Sequence, residues 1–263
     1  MPVFEGISRL LEHYPVGGLS QYLLSPDTNI AVLPKSIDTA MAPRFGYLGT
    51  SFVGLKRANV GPGNTLLING VTAILGYGAV AIGLGLGCTK ILGIGRNRER
   101  LTEVRSLSLQ GRVVVRSSED EGDIVEWVKQ QINGLGPDAL YDCLGVGGDA
   151  SSTSNLVGCV KQGGRLILAA GGAERNIGGQ PYFEVMMHNV AVLGTIWFNS
   201  AELDEMIILI DAGVIDFSFL RHKFFALVEV NKAFRTVGDR PGGAVNVVSN
   251  HMSEGCVTDA KAR

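Results

Sequence analysis

Six short apolar runs recur along the chain from residue 65: Thr65–Asn69, Lys90–Gly95, Arg112–Arg116, Ala139–Leu144, Arg165–Ala170 and Val190–Ile196. Each is rich in Val, Ile and Leu and nearly continuous rather than alternating, the pattern of strands buried on both faces of a parallel sheet. Helical segments stand between them at Gly76–Gly87, Arg98–Leu109, Glu121–Ile132 and Asp149–Val160. A further helix, Ala201–Ala212, follows the sixth run and stops at Gly213, a residue that readily takes the left-handed position closing a helix. Ser117 and Ser118 before Glu119, Asp120 and Glu121 predict a capped helix start. Strands joined by helical crossovers predict an α/β fold with a doubly wound six-stranded parallel sheet.

The two ends read differently. Residues 1–45 carry Pro2, Pro15, Gly17, Gly18, Pro26, Pro34 and Pro43, which break regular structure, and only short β-like pieces such as Ile30–Leu33. Residues 223–248 predict a strand, a helix at Val228–Val237, a turn at Asp239–Gly243 and a last strand at Ala244–Val248, and Ser249–Arg263 predicts a mobile tail. From Ala58 to Thr89 no residue is charged, a length that could cross a membrane. Pro62, Gly63, Asn64, Asn69 and a series of glycines divide it into a strand and a helix, so no membrane span is expected.

Composition narrows the classes further. Glycine is 36 of 263 residues, while hydrophobic residues make up 46 % and proline only 9; that excludes collagen-like and disordered chains and leaves tight turns in a globular fold. A net charge of −2 gives no basic footprint for nucleic acid or anionic membranes. The four cysteines, Cys88, Cys143, Cys159 and Cys256, form no Cys-x-x-Cys pair, which predicts reduced thiols and neither a zinc ribbon nor a disulfide framework. No signal-peptide core or terminal address is visible, so a cytoplasmic protein is expected.

The candidate chemistry lies at Gly70-Val71-Thr72-Ala73-Ile74-Leu75-Gly76, between the first run and its helix. A strand-to-helix turn there brings bare backbone and free N–H groups to a pyrophosphate. Of the three positions of Gly-x-Gly-x-x-Gly only Gly76 is glycine; Val71 and Ala73 replace the others. The strand before and helix after favour the cofactor reading over a close helix–strand contact without ligand. After the second run stands Gly95-Arg96-Asn97-Arg98. The acid that takes the ribose hydroxyls of NAD is absent, and two arginines suit the 2′-phosphate of NADP better.

These segments, with Gly17–Tyr22, Leu33-Pro34, Gly49-Thr50, Val60–Thr65, Tyr141–Gly145, Gly163–Arg165 and Arg240–Ala244, are similar in order to the medium-chain dehydrogenase/reductase superfamily, its zinc-type alcohol dehydrogenase-like and quinone reductase-like members. The resemblance runs over about residues 16–248. It implies a Rossmann cofactor domain at 46–215, a remnant of a GroES-like catalytic domain at 1–45 joined by 216–248, an inter-domain helix opening at Gly49-Thr50, hydride transfer on a small-molecule substrate, and homodimerisation through the sheet edge. Carried over by position, the cofactor would lie across Thr50, Thr72, Ala73, Ile74, Leu75, Gly76, Arg96 and Arg98. It would continue past Ser117, Leu144, Gly145, Val146, Ala170, Gly171, Gly172, Thr195, Ile196 and Trp197. The third zinc ligand of the family falls on Gly46, which has no side chain, and the segment for the first two is missing, so no zinc is expected.

Without zinc a side chain must polarise the carbonyl or exchange its proton. Tyr47 is the first candidate; Tyr77 reads as structural, and His13, Tyr182, His188 and Asp142 are weaker. The leading expectation is a zinc-independent, NADP-preferring oxidoreductase. The alternative is a non-redox enzyme or a pseudoenzyme that reuses the fold.

Overall fold

The computed structural model describes residues 12, 14, 18–20, 22–108, 110–145, 148, 150–170 and 182–250. Six strands, β1 (Thr65–Asn69), β2 (Lys90–Gly95), β3 (Val113–Ser117), β4 (Ala139–Asp142), β5 (Arg165–Leu168) and β6 (Ala191–Gly194), form one sheet. Their order is β3-β2-β1-β4-β5-β6 and every pairing is parallel. Helices α1 (Phe45–Arg57), α2 (Ile74–Gly85), α3 (Arg98–Ser106), α4 (Ile124–Gln131), α5 (Ala150–Val157), α6 (Tyr182–Met187) and α7 (Ser200–Asp211) accompany them. A separate parallel pair, β7 (Arg221–Ala226) and β8 (Val245–Asn250), packs with α8 (Val230–Gly238).

The inner strands of the six-stranded sheet are buried because both faces are covered. On β1, Leu66 and Ile68 join the core against Leu48, Phe52 and Leu55 of α1 and Val80 and Ile82 of α2. Leu67, pointing the other way, joins Leu92, Leu140 and Leu166 against Val128 of α4 and Leu156 and Val157 of α5. Each such side chain, removed from water, contributes about 2 kcal/mol, so the continuous apolar runs are what hold the sheet between its helix layers.

β1 and β2 coincide with the expected runs, whereas β4 and β5 end earlier, at Asp142 and Leu168. Cys143, Leu144 and Ala170 leave the ladder to line a cavity, a departure that hydrophobicity alone does not reveal. The run around β6 is expected to be buried on both faces, yet Ala191, Val192 and Gly194 are exposed because the strand closes the sheet. α4 starts at Ile124 rather than near Glu121: Asp123 is the cap, its carboxylate accepting from the backbone of Val125 and Glu126. Ser117 instead pins the preceding loop, donating to the Arg96 carbonyl and accepting from the Glu119 amide. No strand forms at Ile30–Leu33, where no partner strand is paired with it among the described residues. The inter-domain helix begins at Phe45, four residues before its expected opening, because a 3₁₀ stretch, Thr39–Arg44, runs directly into it.

Among the described residues no helix is long and apolar enough to cross a membrane. Cys88, Cys143 and Cys159 are free and buried. Burial pushes the Cys88 and Cys159 thiols up to about 12 from an ordinary value near 9. Between pH 9 and 12 the unfolded chain therefore releases protons that the folded chain keeps, and stability falls as pH rises across that window. The urea midpoint is expected to drop from pH 8.5 to 10.5 in a buffered series of about one-unit steps, and to drop less in Cys88→Ala. An unchanged slope in the variant contradicts this.

Candidate functional site

At the carboxyl ends of the strands, where the chain turns one way from β1 and the other way from β4, an open sheet leaves a crevice. A cavity of about 1600 Å³ occupies that place, walled by the β1–α2 turn, the ends of β2 and β4, the start of α5, the start of α1 and the turn before β8.

The β1–α2 turn is built for close approach. Gly70 takes a φ of +92°, and the amides of Gly70 and Val71 both donate to the Ile94 carbonyl. A Cβ on Gly76 would stand 2.5 Å from the Gly70 carbonyl oxygen and 2.6 Å from Val71 Cα, so only glycine lets α2 lie this close to the turn. Val71, at the first motif position, is fully buried and points away from the cavity: a Cβ on Gly93 would come within 2.8 Å of its Cγ2. The side chain that spoils the motif in sequence thus fills the space over β2 and leaves the crevice open. Ala73 caps α2 with no side-chain acceptor, so the first-turn amides of α2 face the cavity at Ile74 and Leu75 as unpaired helix donors. Gly243 rests on this turn, its amide donating to the Thr72 carbonyl at 3.2 Å.

Charge along the crevice is uneven. Arg44, Arg96, Arg100 and Arg240 line it, and Asp123 is the one acid among its described walls, its carboxylate engaged at the start of α4. Arg96 follows Gly95 at the end of β2 and is exposed, with no ion pair described. Arg98 is turned aside to Asp120, at 2.7 Å. Arg100 donates to the Arg240 carbonyl at 2.8 Å and so fastens the Arg240–Gly243 turn to the sheet domain.

The opposite wall is polar. Asp142, at the end of β4, is buried and accepts from the Thr153 hydroxyl at 2.8 Å and the Leu144 amide at 3.2 Å, with the Asn69 amide at 3.5 Å. Asn69 also reaches Ser152 at 3.3 Å. These bonds fix the start of α5 and bring Ser151, Ser152 and Asn155 to the cavity.

The far end is formed by α1. Ser51 ties it to the turn by donating to the Leu75 carbonyl at 3.0 Å, and receives the Tyr141 hydroxyl at 3.0 Å. Tyr47, one turn earlier on α1, is half exposed and lines the cavity. Arg44, at the start of the helix, is buried and lines it too; its Nη2 donates to the Val245 carbonyl and its Nε has no partner. Burial draws the Arg44 guanidinium below its ordinary value.

Of the residues expected in the site, Tyr47, Thr72, Ala73, Ile74, Leu75, Arg96, Leu144, Gly145 and Ala170 meet in this one cavity. Gly76 shapes the turn from behind. Thr50 folds its hydroxyl back to the Gly46 carbonyl, and Ser117 lies one residue from Ser118, which does line the cavity. Thr195 packs on α1, 3.0 Å from a Cβ placed at Gly54, while Ile196 and Trp197 are exposed beyond β6 and Trp197 takes a φ of +59°. Val146, Gly171, Gly172 and His13 lie outside the described residues. Tyr77 is structural as expected: buried, it donates to Glu103 at 2.9 Å, and burial with that bond raises its pKa. Tyr182 and His188 do not reach the cavity. Arg44, Asn69, Ser152 and the Arg240–Gly243 turn complete the walls without having been expected there. The turn carried a Pro-Gly-Gly signal in the sequence, whereas the others carried none.

A zinc ion needs three or more His, Cys, Asp or Glu side chains converging on it. No such group exists among the described residues, and position 46 offers no ligating atom. The residues described here do not fit a catalytic zinc.

Comparison with known proteins agrees with the architecture. Residues 75–212, just over half of the chain, match the family model described as zinc-binding dehydrogenase. A quinone oxidoreductase-like protein 2 homolog of Nematostella vectensis is 24 % identical over 234 residues, 85 % of this chain and 61 % of that protein. An NAD-dependent alcohol dehydrogenase of Sulfolobus acidocaldarius is 27 % identical over 223 residues, 82 % of this chain and 60 % of that protein. The chain therefore spans about three fifths of the length of these curated relatives. Among solved structures, the alcohol dehydrogenase TADH from Thermus sp. ATN1 superposes with a TM-score of 0.75 at 22 % identity, over 89 % of this chain and 66 % of that one.

Proposed function

Since the chain belongs to the zinc-binding dehydrogenase family, within the medium-chain dehydrogenases and reductases, we propose that it is an NADP(H)-preferring oxidoreductase working without zinc on a small carbonyl, alcohol or enone. The observation that carries this reading is the exposed Arg96, facing the crevice directly after β2 where an NAD-binding sheet would place an acid. Bound there, the nicotinamide ring would supply the hydride chemistry. The chain's part is positioning: the amides of Ile74 and Leu75 receive the pyrophosphate, and Arg96 takes the 2′-phosphate. Leu144, Gly145 and Ala170 wall the remainder. Val71 gives no ground for a non-redox reading, because its side chain lies in the core.

Arg96→Ala is expected to weaken NADPH binding about tenfold, the weight of a charge-assisted pair, and to leave NADH unchanged. Equal losses for both nucleotides, or tighter NADH binding by the parent, contradict the preference. We assign Tyr47 as the donor that polarises the substrate carbonyl, the role zinc plays elsewhere. Tyr47→Phe is expected to lower kcat about 100-fold with NADPH affinity retained; unchanged kcat removes the role. The exposed edge β6, flanked by Phe183, Met187, Ile196 and Trp197, fits a homodimer joined strand to strand. Free, buried cysteines fit a cytoplasmic setting.

A further inference from the structure

Arg44 stands apart from the other crevice arginines. It is only 7 % exposed, whereas Arg96 is open to solvent. A guanidinium has five N–H donors; in Arg44, Nη2 reaches the Val245 carbonyl and Nε is shielded with no partner. Among the described residues no carboxylate pairs with it. Asp38, six residues before it in sequence, caps the 3₁₀ stretch, accepting from the Ala40 amide. The first turn of α1 carries no acidic residue. A buried charge without a counter-charge is costly, and the cost is removed when an anion enters.

The surroundings leave room for one. Arg44 lines the cavity together with Tyr47 and the Val245–Val247 stretch. Along α1 its backbone is also offset from the place where the helix meets the phosphate turn. Ser51 marks where α1 touches the phosphate turn. Arg44 lies seven residues earlier, about 10 Å along the helix axis, with Tyr47 between them.

We propose that Arg44 is the receptor of a second anion site in the crevice, holding a carboxylate or phosphate oxyanion of the ligand that reaches Tyr47. Resting on the oxidoreductase reading, this narrows the substrate class from small carbonyl compounds in general to those bearing an acidic group. Arg44 binds the acid while Tyr47 faces the reacting carbonyl.

Calorimetric titration of the full chain with succinate and with inorganic phosphate tests it, each without nucleotide and with saturating NADPH. At least one of the two anions is expected to bind, and Arg44→Met to weaken that binding tenfold or more. Arg44→Gln, which keeps a donor for the Val245 carbonyl, is expected to do the same and serves where the methionine variant does not fold. Arg57→Ala, a surface arginine paired with Glu202, is the unaffected control. Binding that persists with NADPH present assigns the oxyanion to the substrate. Binding that NADPH abolishes assigns it to the nucleotide's phosphates and overturns the acidic-substrate class. No binding of either anion at tens of millimolar, or equal affinity in the Arg44 variants, overturns the site itself. A chain that binds succinate through Arg44 but no nicotinamide nucleotide keeps this site and loses the cofactor reading.

Discussion

Gly76→Ala is expected to cost about 3 kcal/mol, in the upper range for forcing an extra carbon into a packed interior. That corresponds to roughly 10 °C in Tm for a chain of this size. The cause is steric and admits no side-chain escape: the new Cβ would meet the Gly70 carbonyl oxygen and the Val71 backbone at 2.5–2.6 Å. Relief requires α2 to move away from β1, which displaces the Ile74 and Leu75 amides and with them the expected pyrophosphate cradle. Nucleotide affinity should therefore fall with stability. Gly46→Ala is the matched control of opposite sign. Its Cβ meets nothing within 4 Å, and alanine in place of glycine within a helix stabilises by up to about 1 kcal/mol. Denaturant melts of the two variants check both; a Gly76→Ala chain as stable as its parent would mean that the turn is not packed as described.

Asp142→Ala should be nearly as damaging, about 3 kcal/mol. The carboxylate is buried and is the shared acceptor of Thr153, Leu144 and Asn69. Its removal withdraws the bonds that hold the end of β4 and the start of α5 together, and Ser151, Ser152 and Asn155 lose their place in the crevice wall. Asp142→Asn keeps a carbonyl oxygen for Thr153 and should cost less, about 1 kcal/mol. If the two substitutions cost the same, the effect lies in packing rather than in the shared acceptor.

The sheet was legible in the sequence because burial on both faces writes the same signal along a whole strand: the Val, Ile and Leu runs of β1 and β2 matched residue for residue. What escaped depends on direction or on competition. A residue in the phosphate turn reads the same whether its side chain meets the ligand or the core, so Val71 looked obstructive and is in fact buried over β2. The serines expected to cap this helix lost to Asp123, whose carboxylate reaches two amides at once. The ends of β4 and β5 were overextended because Cys143 and Ala170 stay apolar after leaving the ladder. The exposure of β6 follows from sheet order, which a single run cannot encode. Arg44 gave no signal because its burial comes from β8, some two hundred residues away in sequence.

The cofactor reading turns on one measurement: titrating the purified chain separately with NADPH and NADH and following nucleotide fluorescence. Saturable NADPH binding, with NADH weaker by about tenfold, is the predicted result. No binding of either nucleotide at millimolar concentration would contradict it, and the crevice would then serve chemistry other than hydride transfer.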